Sequence, residues 1–167
     1  FPTQKETFLG FLIQGPYRTT PARDNVPEHD PSNQALVRET AALLCDVLTE
    51  LRDDGLLTAD VLQALPLDPA RFQPGTMFRP LFDSARTALA AEELLPVAGG
   101  GYGAAGELKL ARGAGLRELL LPDQLGVLYG AGQPLAFAHE SITEDRTPLL
   151  WRYLRDEIGI EEVTPEA

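Results

Sequence analysis

Thr7-Phe8-Leu9-Gly10-Phe11-Leu12-Ile13 is a near-continuous apolar run of seven residues, and Gly15-Pro16 follows it closely. Its length argues against a helix, and an unbroken apolar run bounded by turn residues reads as a buried strand. Residues 16–31 are polar and proline-rich, with Arg18, Thr19, Thr20, Arg23, Asp24 and Asn25 in the first part. A strong helix is expected next. Asp30 can cap it, Pro31 suits its first turn, and Gly55 lies just past its end. Leu36, Leu43, Val47 and Leu51 form one stripe, with Val37, Ala41, Leu44 and Leu48 beside it, so the spacing buries one broad face.

Further along, Thr58 can cap a short helix over residues 59–65, which Pro66 stops. A proline-rich loop precedes a third helix over residues 79–94. Residues 95–98 read as a short strand, and Gly99-Gly100-Gly101-Tyr102-Gly103 follows. Residues 107–121 read as partly helical, broken near Gly113 and Gly115. Residues 125–129 form another short apolar element, and residues 134–138 read as a strand. Thr147 can cap a helix over residues 148–158 with Gly159 as its stop, and residues 160–163 complete the set with a last short strand. There is no internal repeat. Alternating strands and helices predict a mixed α/β fold: a short sheet packed with amphipathic helices. Residues 1–94 form the first unit, and residues 95–167 form a smaller α/β lobe or continue the same domain.

The chain has 167 residues, enough for one domain with a core, and its 44% hydrophobic content is that of a globular protein. Fourteen basic residues face 25 acidic ones, for a net charge of −11. That balance argues against binding a nucleic-acid backbone or an anionic membrane. No stretch approaches the roughly 20 apolar residues a membrane span needs. The single cysteine, Cys45, cannot form an internal disulfide, which fits a reducing cytoplasm. No signal peptide is visible. The opening Phe1-Pro2-Thr3, and an ending in which Thr164 and Pro165 could start another helix, read as the cut ends of a longer chain.

Gly101-Tyr102-Gly103-Ala104-Ala105-Gly106 matches G-x-G-x-x-G, with Asp123 near the distance at which a ribose-binding acid would stand. Such a fingerprint needs a complete strand–turn–helix–strand unit, and the motif alone in a Gly- and Ala-rich stretch is weak evidence. A dinucleotide or small-molecule site at Gly101, Gly103 and Gly106 is therefore the alternative function. No Walker phosphate loop is present. His29 and His139 lack partners at metal-ligand spacing, so no metal site is expected. Cys45 reads as a packed thiol, and Ser141 lacks the turn of a hydrolase nucleophile.

Arg18 and Arg23 stand out because they sit close together in an acidic chain, at a strand-to-loop junction. Guanidinium groups there can reach a phosphate. Equally, they can pair with Glu28, Asp30 or Glu39 and order the loop. A protein-binding scaffold without a nucleotide role follows if both are tied up in that way.

Residues 11–27, Phe-Leu-Ile-Gln-Gly-Pro-Tyr-Arg-Thr-Thr-Pro-Ala-Arg-Asp-Asn-Val-Pro, resemble a signature of bacterial proteins with a sacsin-like, chaperone-type ATP-binding domain. The signature stands just downstream of their GHKL nucleotide-binding fold. Leu110-Ala111-Arg112, residues 142–148 leading into Trp151-Arg152-Tyr153-Leu154, and the ending from Glu161 are similar too. A more distant resemblance is to the middle domain of the ninety-kilodalton heat-shock chaperones. There a Ser-Arg-Glu precedes a long helix, and its arginine reaches the ATP γ-phosphate. Ala22-Arg23-Asp24 stands in that place here, so the resemblance implies that Arg23 makes this contact as an arginine finger does, with Arg18 as second candidate. Two positions depart: Ala22 replaces the serine, and Pro27 stands where the chaperones carry glutamine. The resemblance implies a cytoplasmic coupling segment that is no enzyme by itself. ATP and Mg would be held by an N-terminal ATP-binding domain of the same chain, with protein clients as further partners.

Overall fold

The structure is a computed structural model and describes residues 3–113 and 115–164. The expectations for Phe1, Pro2 and Pro165 to Ala167 lie outside the described residues, as does Ala114 within the break near Gly113.

Helix α1, Pro31–Asp53, starts as its sequence requires. The Asp30 carboxylate accepts from the N–H groups of Ser32 (2.8 Å) and Asn33 (3.2 Å), which have no partner inside the helix. The helix ends before Gly55, whose φ of 70° is the left-handed conformation that favours glycine. Its core face is narrower than the periodicity suggested. Val37, Ala41, Leu44 and Leu48 are buried, but Leu43 of the neighbouring stripe is 59% exposed and Val47 is also exposed. The buried stripe is the one that packs against α3, Arg79–Ala91, through Leu81, Phe82, Ala85, Ala88 and Leu89. One partner helix covers one stripe, and of the other only Leu36 and Leu51 are half-buried, Leu51 against the main core. Between α1 and α3 the short helix α2, Ala59–Leu62, is capped by Thr58 and ends three residues earlier than its sequence suggested.

The strands lie in the second half. Strands β1, Leu95–Pro96, and β2, Tyr102–Gly103, pair antiparallel. Strand β3, Leu108–Ala111, follows a 3-10 turn and is the centre of a three-stranded sheet. It pairs parallel with β4, Ala136–Phe137, on one side and with β5, Glu162–Val163, on the other. Parallel pairing demands crossovers, and each one carries helices. Helices α4, Gly115–Leu119, and α5, Pro122–Leu128, lie between β3 and β4. Helix α6, Pro148–Tyr153, continues as a π-helical turn to Ile158 and lies between β4 and β5. The partly helical reading of residues 107–121 is thus corrected in its first part. Alternating burial of Leu108 and Leu110 on the strand was hidden by the glycines around it.

The main core draws on both sides of residues 94 and 95. Leu62, Leu81, Leu89 and Leu94 are in it, as are Leu95, Leu108, Leu110, Leu150 and Leu154. Phe82 joins the halves, stacked on Phe72 and edge-on to Tyr153. A second, smaller cluster of Ala111, Leu125, Leu135, Phe137 and Val163 lies under α5.

The opening apolar run is the main departure. Residues 7–13 belong to no sheet, bend at Gly10 and Phe11, and are at most half-buried. Residues 3–14 alternate instead: Thr3, Lys5, Thr7, Leu9, Phe11 and Ile13 are half-buried, while the residues between them are exposed, Leu12 to 91%. Phe8 even takes a positive φ of 55° and stacks its ring under the Arg71 guanidinium, 4.6 Å away. A strand requires a partner at about 4.8 Å, and among the described residues none runs beside this arm.

Candidate functional site

The loop after the arm is held by a residue that its sequence did not single out. Asn33, in the first turn of α1, is wholly buried. Its side-chain oxygen accepts from the Arg18 N–H (2.8 Å), and its amide donates to the carbonyls of Arg18 (2.9 Å) and Pro27 (3.1 Å). One side chain therefore pins both ends of residues 18–27 to the rigid start of the helix. The available signal was an amide just behind the Asp30 cap, a place where charged or small residues would serve the helix as well.

Inside the pinned loop, Thr20 closes a tight turn. The Arg23 N–H donates to the Thr20 carbonyl (2.8 Å) across Pro21-Ala22, a β-turn with proline at its favoured second position. The Thr20 hydroxyl donates to Asp24 (2.6 Å) and accepts from the Asn25 N–H (3.3 Å). The Thr20 N–H donates to the Asn25 carbonyl (3.0 Å). These bonds hold Arg23 at a φ of 58°. An arginine in that left-handed region costs about 1 kcal/mol relative to ordinary backbone, and such positions cluster at functional sites.

Arg23 lines a cavity of about 860 Å³ between the arm, the loop and the turn at Met77-Phe78. Its apolar wall includes Phe11, Ile13, Tyr17, Val26, Met77 and Phe78, and Thr3, Thr7 and Thr19 bring hydroxyl groups. The lining contains two cations, Lys5 and Arg23, and no carboxylate. The carboxylates of Glu6, Asp24 and Glu28 lie nearby but outside this lining. Lys5 forms an ion pair with Glu28, and the Lys5 hydrogen bond holds the Glu28 carboxyl below its usual range. Arg23 has no carboxylate partner among the described residues.

The two arginines therefore part company. The Arg18 guanidinium lies 3.6 Å from Asp30, and its backbone is clamped by Asn33. Desolvation works against the charged Asp30 carboxylate, but the N–H groups of Asn33 and Ser32 and the Arg18 charge outweigh it and lower its pKa. The Arg18 guanidinium lies near Asp30, whereas Arg23 lines the cavity.

The remaining motifs are placed elsewhere. Gly101, Gly103 and Gly106 stand on and after the β1–β2 hairpin, with Gly99, Gly100 and Gly101 all at positive φ in its turn. The stretch then enters a 3-10 turn and strand β3, where a dinucleotide fingerprint opens a helix. His29 is exposed. His139 accepts at Nδ1 from the Ser141 N–H (3.1 Å) and lies 2.7 Å from its hydroxyl, a local turn two residues long. Cys45 lies between α1 and α3 with its sulfur near the carbonyls of Ala41 and Ser84, and burial pushes its thiol pKa up. Among the described residues, no group of three or more His, Cys, Asp or Glu side chains could hold a metal ion. No helix there is long and apolar enough to cross a membrane. No family model matches the chain, and neither a curated protein nor a solved structure matches it.

Proposed function

We propose that this chain is a coupling segment of an ATP-driven, chaperone-like protein of the GHKL type, and that Arg23 is the residue it offers to the nucleotide. ATP and Mg are held by an N-terminal domain of the same chain, and this segment supplies a positive charge at the γ-phosphate when the two close together. One observation carries the reading. Arg23 sits in left-handed backbone and lines a carboxylate-free cavity, with no acidic partner among the described residues, while Arg18 lies 3.6 Å from Asp30. A side chain already neutralised is a poor phosphate ligand, and an unneutralised one on a rigid loop is a good one. In this reading hydrolysis belongs to the assembled protein.

The test is ATP turnover by the full-length protein, with ATP affinity measured in parallel. Arg23→Ala is expected to lower turnover by ~10³-fold while ATP still binds, the scale of a lost arginine finger. Arg18→Ala should act mainly through loop order, with a much smaller effect. Unchanged turnover in Arg23→Ala overturns the proposal and leaves the segment a protein-binding scaffold.

A further inference from the structure

The Asn33 side chain serves the loop before α1 and not its own helix. Asp30 already accepts from the Asn33 N–H (3.2 Å), and the Asn33 side-chain bonds all leave the helix, two for Arg18 and one for Pro27. A wholly buried amide needs partners at both its oxygen and its nitrogen, and this one finds them in the loop. Its pair of bonds to Arg18, one accepted from the N–H and one donated to the carbonyl, is what a neighbouring strand would supply. Val26, next to the clamped Pro27, is the buried residue of the loop and joins the main core. The base of the loop is therefore fixed at both ends, while the bonds of Thr20 to Arg23, Asp24 and Asn25 hold its tip.

We infer that Asn33 is a positioning residue for Arg23, which rests on reading Arg23 as the charge offered to the nucleotide. Arg23 lies between the two clamped ends of the loop, and its left-handed backbone persists only where the surroundings over-determine it. Asn33 makes no bond to Arg23, so it acts through the loop. A guanidinium on a long side chain helps a transition state only if its root is fixed, since a misplacement of about 1 Å can cost ~10²-fold in rate. The clamp grips the Arg18 backbone and not its guanidinium. Arg18→Ala therefore leaves the clamp in place, whereas a change at Asn33 releases both ends at once.

The test is a double-mutant cycle on ATP turnover by the full-length protein. Asn33→Asp keeps the size of the side chain but sets a carboxylate, which can only accept, against two carbonyl oxygens. It is expected to lower kcat by ~10²-fold while KM for ATP changes by less than about threefold. In an Arg23→Ala background the same substitution should cost less than about threefold, because a residue that acts only through Arg23 has nothing left to position. Losses that multiply in the double variant make Asn33 a residue of general stability and overturn the inference. Normal turnover in Asn33→Asp beside lost turnover in Arg23→Ala overturns it while leaving the role of Arg23 standing. Unchanged turnover in Arg23→Ala removes both. Should Asn33→Asp not fold, Thr20→Val loosens the tip of the same loop without touching the core. Its loss of about tenfold in kcat should likewise vanish in the Arg23→Ala background, and a loss that persists there overturns positioning by the loop. In this chain alone, the exposed Arg18 should still exchange its amide hydrogen at least about tenfold more slowly than an unprotected one. An unprotected Arg18 amide means that the clamp does not hold, and the inference falls without any assay of ATP.

Discussion

Residues 7–13 and strand β3, Leu108–Ala111, make opposite use of their sequences. The first is the more strand-like by composition, with four aromatic or β-branched residues among its seven, and it forms no strand among the described residues. The second, Leu-Lys-Leu-Ala, is short and lies in a glycine-rich region, yet it forms the centre of a three-stranded sheet. Strand propensity measures how well a residue suits a half-buried pleated surface, and that surface exists only where partners supply it. Strand β3 has β4 and β5, brought alongside by two helical crossovers. The arm has the loop on one side and the turn at Ala64 on the other, each giving it a single backbone bond.

The largest expected effect tests the burial that separates the two regions. Leu110→Ala removes a wholly buried side chain from the central strand and should destabilise the fold by about 2–5 kcal/mol. Leu12→Ala should stay within about 0.5 kcal/mol, since that side chain is already in water. Equal losses of melting temperature would show that the arm is packed as a strand is.

Two glycines sharpen the contrast. At Gly126 an added Cβ would meet the Gln133 carbonyl oxygen at 2.2 Å, in the crossover that feeds β4. Gly126→Ala should cost about 1–3 kcal/mol in global stability by denaturant unfolding. Gly10→Ala clashes with backbone at Ala64, but only the arm depends on that approach. It should speed proteolysis and hydrogen exchange of residues 5–13 while the unfolding midpoint changes little. A matching drop in global stability would mean the arm folds together with the core.

Arg23→Gly probes strain in the loop. Glycine accepts a φ of 58° without steric conflict, so the variant should be as stable as the parent or more so by up to about 1 kcal/mol. A clear loss of stability would mean that Arg23 holds the loop instead of being held by it. The smallest effect is that of pH. The Glu28 carboxyl is held below its usual value of 4.5 by the Lys5 hydrogen bond. A depressed folded-state pKa gives stability that is present above that value and fades as pH falls through the lower, folded one. Arm exchange in the parent should therefore accelerate on acidification below about 4.5, and Glu28→Gln should flatten that dependence. The pair is partly exposed, so the change should be confined to the arm.

Among the candidate site residues, Arg23 and Arg18 were visible in the chain as two cations in an acidic protein. Which of them points at open space was not visible, because it depends on Asp30 lying 3.6 Å from one and on the turn at Thr20 holding the other. Asn33 carried only the weak signal of an amide just behind a cap, since it reads like any polar residue in a helix until the loop it clamps is folded against it. The glycine motif at residues 101–106 was legible as a turn, but whether a turn opens a helix or a strand depends on what packs beyond it.

Sequence by itself determined the local starts and stops. The Asp30 and Thr58 caps, the left-handed glycine after α1 and the glycine at 159 that ends the last helix all act within a few residues of the chain. Tertiary structure alone decided which helical stripe became the core, which extended segment became a strand and which arginine stayed unpaired. Each of those outcomes is a contact between residues distant in sequence. Val37, Ala41, Leu44 and Leu48 are buried because α3 lies on them, and Leu108 and Leu110 form a strand because residues 136–137 and 162–163 reach them. Residues 7–13, with apolar side chains just as suitable, form no strand because among the described residues the distant segment that reaches them, at Ala64, gives a single backbone bond.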